Sequence, residues 1–201
     1  MTKDQYDVLN AIVLKKMATF GAVERATGRE EPVIADVVRD LVAAGLVVDI
    51  SGSLLPTDPA ADALVSDADF TYASLREDPA VLQSADKFDP INSAFLKVMS
   101  DWQLVPLGDR TVANDHSDAE YDGKVIDRID RLVSRLSPVL AAFASHDGRF
   151  TCYQQRFDEA LAKVDQGQTD FVSAPTVDSV HNVWFEFHED LLRSLGRARV
   201  E

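Results

Sequence analysis

Leu41-Val42-Ala43-Ala44-Gly45-Leu46-Val47-Val48-Asp49-Ile50-Ser51-Gly52-Ser53-Leu54-Leu55-Pro56-Thr57 passes from the end of a helical pattern into two β-prone runs around a Gly-centred turn. Gly45 is a helix stop, and the two runs read as a hairpin. Upstream, Ile34, Val37, Val38, Leu41 and Val42 recur at helical spacing. Pro32 suits the first turn of that helix, where its missing N–H would have no partner. Before it, Ala22-Val23-Glu24-Arg25-Ala26-Thr27 stops at Gly28, and Val8, Leu9, Ile12, Val13 and Met17 mark a first amphipathic helix. Downstream, Thr57 or Asp58 opens a fourth helix through Ala60, Ala61, Leu64 and Val65.

The order is helix, helix, turn, helix, hairpin, helix. At Ala26-Thr27-Gly28, Leu41-Val42-Ala43-Ala44-Gly45-Leu46-Val47 and Leu54-Leu55-Pro56-Thr57 the segment resembles the MarR-like winged helix-turn-helix regulators, over residues 5–68. The resemblance implies a dimeric transcriptional regulator whose turn helix enters the major groove while the hairpin wing reaches the next groove. The positions that would face DNA or a partner are Arg29, Glu30, Glu31, Pro32, Val33, Ala35 and Asp36, with Arg39 a turn further on. Three of the first seven are acidic, and the wing tip Asp49-Ser51-Gly52-Ser53 supplies no cation. Carboxylates beside phosphates need Lys or Arg to offset the repulsion. Residues 1–65 hold six basic side chains against ten acidic ones, so this segment favours a protein partner over DNA.

The whole chain points the same way. Its 201 residues carry a formal charge of −14, so a polyanion meets a repulsive field. Apolar residues at 46% and charged residues at 27% describe an ordinary globular composition. They exclude a disordered, collagenous or disulfide-stapled chain. The single cysteine, Cys152, cannot close an internal disulfide. The start Met-Thr-Lys-Asp leads into a charged segment without an apolar leader, and no 18-residue apolar run follows. A cytoplasmic protein without a membrane partner is therefore expected.

Residues 66–88 are acidic and weakly patterned, which suggests a winged-helix domain at 1–76, a connector at 77–87 and a second domain at 88–201. In that second domain Asp89-Pro90 reads as a helix start before Ile91, Phe95, Val98, Met99 and Trp102. Residues 104–114, with Pro106 and Gly108, read as a loop. A long stripe from Val125 to Phe143 follows, with a kink or break expected at Pro138. After His146-Asp147-Gly148 two more stripes run from Phe150 to Val164 and from Val177 to Leu195. The fold class is thus mostly α with a small β-hairpin wing, a winged helix followed by an α-helical bundle able to fold alone. Phe88-Asp89-Pro90-Ile91-Asn92 and His181-Asn182-Val183-Trp184-Phe185-Glu186-Phe187-His188-Glu189-Asp190-Leu191-Leu192 resemble a helical domain of uncharacterised actinobacterial proteins. Some of those proteins join it to phosphoenolpyruvate-utilising modules.

His181, Trp184 and His188 share one face of the last helix. The histidines stand about 10.5 Å apart along the axis, too far to hold one metal ion. With Trp102 they are expected to form a polar core or a small-molecule pocket, the histidines largely neutral at pH 7. His188-Glu189 starts like a metalloprotease motif, but Leu192 stands where the second ligand belongs. Arg128, Arg131 and Arg135 face one way and are offset by Asp127 and Asp130; Cys152 reads as structural. No phosphate-binding, nucleophile-elbow or Cys-x-x-Cys motif is present. Neither catalysis, a cofactor nor a metal is expected. The expectation is a regulator-like protein whose bundle senses a ligand, docks a partner or self-associates. The alternative is a noncatalytic accessory subunit of a metabolic enzyme.

Overall fold

Thr2 opens the first helix, α1 (Lys3–Lys15), through a reciprocal cap. Its Oγ1 accepts the Gln5 N–H at 3.2 Å, and Gln5 Oε1 accepts the Thr2 N–H at 3.0 Å. The short strand β1 (Ala18–Thr19) leads into α2 (Phe20–Thr27), which Thr19 caps and Gly28 ends at φ 67°. The third helix, α3 (Glu31–Ala43), starts with Pro32 in its first turn and buries Ile34, Val37, Val38 and Leu41. Val42 is turned outward. Strands β2 (Val47–Ile50) and β3 (Ser53–Pro56) pair antiparallel, and β1 adds to the far side of β3, giving the order β1-β3-β2. Val47 and Leu54 point into the core, whereas Val48 and Ile50 on the edge strand face solvent.

The computed structural model describes residues 1–197, apart from the side chain of Leu107, and is 72% helix and 9% strand. In α4 (Asp58–Thr71) the buried stripe is Ala60, Leu64 and Ala68, and Ala61 and Val65 lie on the solvent side. After α5 (Ala73–Glu77), one helix, α6, runs from Pro79 to Gln103. The acidic stretch that suggests a connector at 77–87 is therefore helical from residue 79. The reason is another Asp-Pro pair upstream of Asp89-Pro90: Asp78 caps α6 by accepting the Ala80 N–H at 2.7 Å, and Pro79 takes the first position. Val81, Ala85, Phe88, Ile91 and Phe95 then form one buried stripe. Pro90, expected to start a helix, sits inside it.

Residues 104–114 form a second hairpin, β4 (Leu104–Leu107) and β5 (Arg110–Ala113), turning at Gly108 with φ 60°. Leu104-Val105 and Thr111-Val112 flank that glycine as two short β-prone runs, the same signal that marks the first hairpin. The long helix α7 (Ala119–Ala144) passes Pro138 unbroken. A 3-10 turn at Gly148–Phe150 precedes α8 (Thr151–Asp165), α9 (Asp170–Ser173) and α10 (Val180–Leu195). At the end of α10, Arg76 of α5 satisfies free carbonyls by donating to Ser194 O at 2.8 Å and Arg193 O at 3.2 Å.

The apolar faces of both halves belong to one buried cluster, from Tyr6 and Leu9 in α1 to Phe187 and Leu191 in α10. Helix α10 packs on α1, α4 and α5 as well as on α8 and α9, and α2 packs on α8. No bundle stands apart from the N-terminal helices. No helix among the described residues is long and apolar enough to cross a membrane.

Candidate functional site

The junction between the two halves is held by charges in places where the helical pattern calls for apolar residues. Arg149, in the 3-10 turn, sits buried between α1, α5 and α10. Its Nη2 donates to Asp190 Oδ1 at 2.9 Å, and its Nη1 also contacts Asp190. Its Nε donates to Asp147 Oδ2 at 3.0 Å and lies 3.4 Å from Asp7 Oδ1. Asp190 additionally accepts from Tyr153 Oη at 2.8 Å and Asn10 Nδ2 at 3.1 Å. Tyr72 Oη donates to Asp147 at 2.7 Å. A buried carboxylate needs this number of partners to stay charged away from water. Burial pushes the Asp7 carboxyl up, and Arg149 and Lys3 pull against it. A void of about 10 Å³ beside Asp7, Arg149 and Tyr153 leaves room for little more than one water.

A second cage adjoins the first. Arg156 of α8 donates Nε to Asp178 Oδ2 at 2.8 Å and Nη2 to Glu186 Oε2 at 2.6 Å. Lys15, at the end of α1, bridges the same two carboxylates at 3.0 Å each. Burial alone would raise the Asp178 carboxyl, but the hydrogen bonds and charges of Arg156 and Lys15 hold it well below the usual carboxylate range. Above this cage opens a cleft of about 400 Å³ between the α1–α2 turn and residues 175–186.

The residues expected to face DNA or a partner separate into two groups. Glu31, Val33, Asp36 and Arg39 are exposed on α3. Arg39 pairs with Asp36 at 2.7 Å one turn away. Arg29 turns back to α1, with Nε 2.8 Å from Asp4 and Nη2 2.6 Å from Asp7. The outward surface at the start of α3 therefore holds Glu30 and Glu31 without that cation, and Asp36 with Arg39 as its partner.

No family model, curated protein or solved structure matches this chain. Function must be read from the arrangement of its own residues.

Trp184 stacks on Phe95 with ring centres 3.8 Å apart and planes 3° apart, and its Nε1–H donates to Asn92 Oδ1 at 3.0 Å. His188 lies 5.0 Å from the Phe88 ring and His181 6.3 Å from Phe95, both half-buried along the α6–α10 seam. Trp102 belongs to a different group. It lies about two turns beyond Phe95 on α6 and packs 4.3 Å from the His116 ring. The four residues therefore do not converge on one pocket. His116, at φ 57°, meets Asp122 through Nδ1 at 2.9 Å, and Asn114 Nδ2 donates to the same carboxylate at 2.8 Å. Sequence reasoning missed this trio because it passes over the short Asn-Asp-His turn. It also missed Asp7, Asn10, Arg149, Arg156, Glu186 and Asp190. The available signal was Glu186 and Asp190, spaced like Val183, Phe187 and Leu191 on a face that should be apolar. Arg128 pairs with Asp101 at 2.7 Å and is drawn away from Arg131 and Arg135. Cys152 is buried, with its thiol pushed up by desolvation. Among the described residues, no group of three or more His, Cys, Asp or Glu is placed to hold a metal.

Burial lowers the pKa of His181. Between that folded value and the unfolded value of about 6.5, the unfolded chain binds more protons, so stability falls as pH drops through this window. His181→Gln is expected to flatten the loss as pH falls below that unfolded value, measured by urea denaturation at each pH. An unchanged slope would place the imidazole in water.

Proposed function

We propose that this chain is a non-catalytic, regulator-like docking protein of the cytoplasm, whose N-terminal unit is a winged helix that receives a protein instead of DNA. The order α1-β1-α2-α3-β2-β3 and the sheet order β1-β3-β2 support the winged-helix reading and its likeness to MarR-like regulators. The observation that carries the docking reading is the inward turn of Arg29 onto Asp4 and Asp7. It leaves Glu30 and Glu31 unpaired with that cation at the head of the exposed helix face, beside Val33 at 39% exposure, with Asp36 and its partner Arg39 a turn further on. The wing adds exposed Val48 and Ile50 around Asp49 and no cation. An apolar and anionic surface repels phosphates and a second copy of itself, and suits a basic partner with apolar side chains.

The test is capture from native lysate with the full chain and with Glu31→Lys/Asp36→Lys/Ile50→Asp as baits. The reading expects a protein held by the unmodified chain, released by raised salt and absent from the variant, with no enrichment of DNA. Nuclease-sensitive DNA on the unmodified bait, or the same protein on both baits, would overturn it.

A further inference from the structure

The cleft between the α1–α2 turn and residues 175–186 carries positive charge that nothing in the described structure neutralises, in a chain of net charge −14. Among its lining residues, Asp178 and Glu186 are matched by Lys15 and, from outside the lining, by Arg156. That cage is balanced. Two further lining residues, Lys16 and Arg25, are exposed, and neither side chain makes an ion pair or hydrogen bond with any described residue. Lys16 also occupies φ 61° and ψ −33°, a backbone region that strains a residue bearing a side chain. The same lining offers apolar surface, with Met17 63% and Phe185 36% exposed.

We propose that this cleft binds a small organic dianion, a phosphomonoester or a dicarboxylate, with its charged head between Lys16 and Arg25 and its apolar body against Met17 and Phe185. Two unneutralised cations match two negative charges. The volume of about 400 Å³ falls in the range of small-molecule sites. A polyanion is disfavoured: charges are screened within about 8 Å in physiological salt, and a longer chain would leave the local cations for the surrounding acidic surface. Because α2 forms one wall and residues 175–186 the other, a bound dianion would brace the N-terminal unit against α10. This inference stands apart from the docking surface on α3, and either can fail without the other.

The experiment is isothermal titration of the full chain at low salt with phenyl phosphate, phthalate, benzoate and phenol. Both dianions are expected to bind about tenfold more tightly than benzoate, and phenol is expected to give no saturable heat. Lys16→Gln/Arg25→Gln should weaken dianion binding at least tenfold, while Lys97→Gln, at another exposed cation without a partner, should leave it unchanged. Thermal unfolding without ligand should be the same in the double variant, since neither side chain has a partner to lose. Absence of dianion binding at millimolar concentration, equal binding of benzoate, or equal weakening by Lys97→Gln would overturn the proposal.

Discussion

Arg149→Met is expected to lower the unfolding free energy by about 3–5 kcal/mol, the largest effect of a single substitution in this chain. Methionine nearly matches the length of the arginine stem and removes the guanidinium, whose carbon lies 4.3 Å from the Phe150 ring centre. The loss is therefore chiefly electrostatic. Asp190 remains buried with its cation gone, Asp147 keeps only the Lys3 cation at 3.0 Å, and Asp7 loses a charge 3.4 Å away. Removing one partner from a buried pair costs far more than the pair itself contributes, because the survivor keeps its desolvation penalty. Arg149→Met/Asp190→Asn should recover part of the loss, since the amide is uncharged and its oxygen still accepts from Tyr153 or Asn10. Urea denaturation of both singles and the double gives the coupling as a mutant cycle. A single-variant loss below about 1 kcal/mol would mean that the network behaves like a solvated surface pair.

The second large expected effect is all-or-none. A fragment of residues 88–201 should show no cooperative thermal transition. Cutting there removes the first turns of α6, including Val81 and Ala85. It strips α10 of its contacts with α1, α4 and α5. It also deprives Arg149 of Tyr72 and Asp190 of Asn10. The fragment would expose a continuous apolar face and retain buried charges with missing partners. The full chain should melt in one step, with far- and near-ultraviolet circular dichroism coincident. Two separated transitions, or a cooperative fragment, would show that the halves are independent domains.

Much of the helical layout was legible because local signals and tertiary packing agree. Gly45, the Ser51-Gly52-Ser53 turn and most of the stripes of α3, α7 and α10 sit where their spacing puts them, although Val42 faces solvent and Val177 lies in the turn before α10. Failures occurred where two equal signals competed or where polarity hid burial. Asp78-Pro79 and Asp89-Pro90 are identical dipeptides. Only the burial of Val81 and Ala85 distinguishes the cap from the proline inside the helix. Residues 77–87 look like a linker because most of their side chains are polar, yet a long helix needs only one apolar residue per turn on its buried side. The charged core was harder still. Nothing in the sequence around Arg149 tells that it will meet Asp190, 41 positions away. On the α3 face the acidic character was plain from composition, but the departure of Arg29 toward Asp4 and Asp7 required the packing of α1 against α3. Trp102 was grouped with Trp184 on residue type alone, and the length of α6 separates them.

The claim that α3 presents a protein-docking surface is tested most directly by fluorescence anisotropy of a labelled duplex DNA titrated with the full chain. At about 50 mM salt, where phosphate contacts are strongest, the unmodified protein should give no saturable binding up to concentrations on the order of 10 μM. Glu30→Gln/Glu31→Gln/Asp36→Asn should gain weak, sequence-independent binding that disappears as salt rises. Tight, operator-selective binding by the unmodified chain at about 150 mM salt would contradict the account.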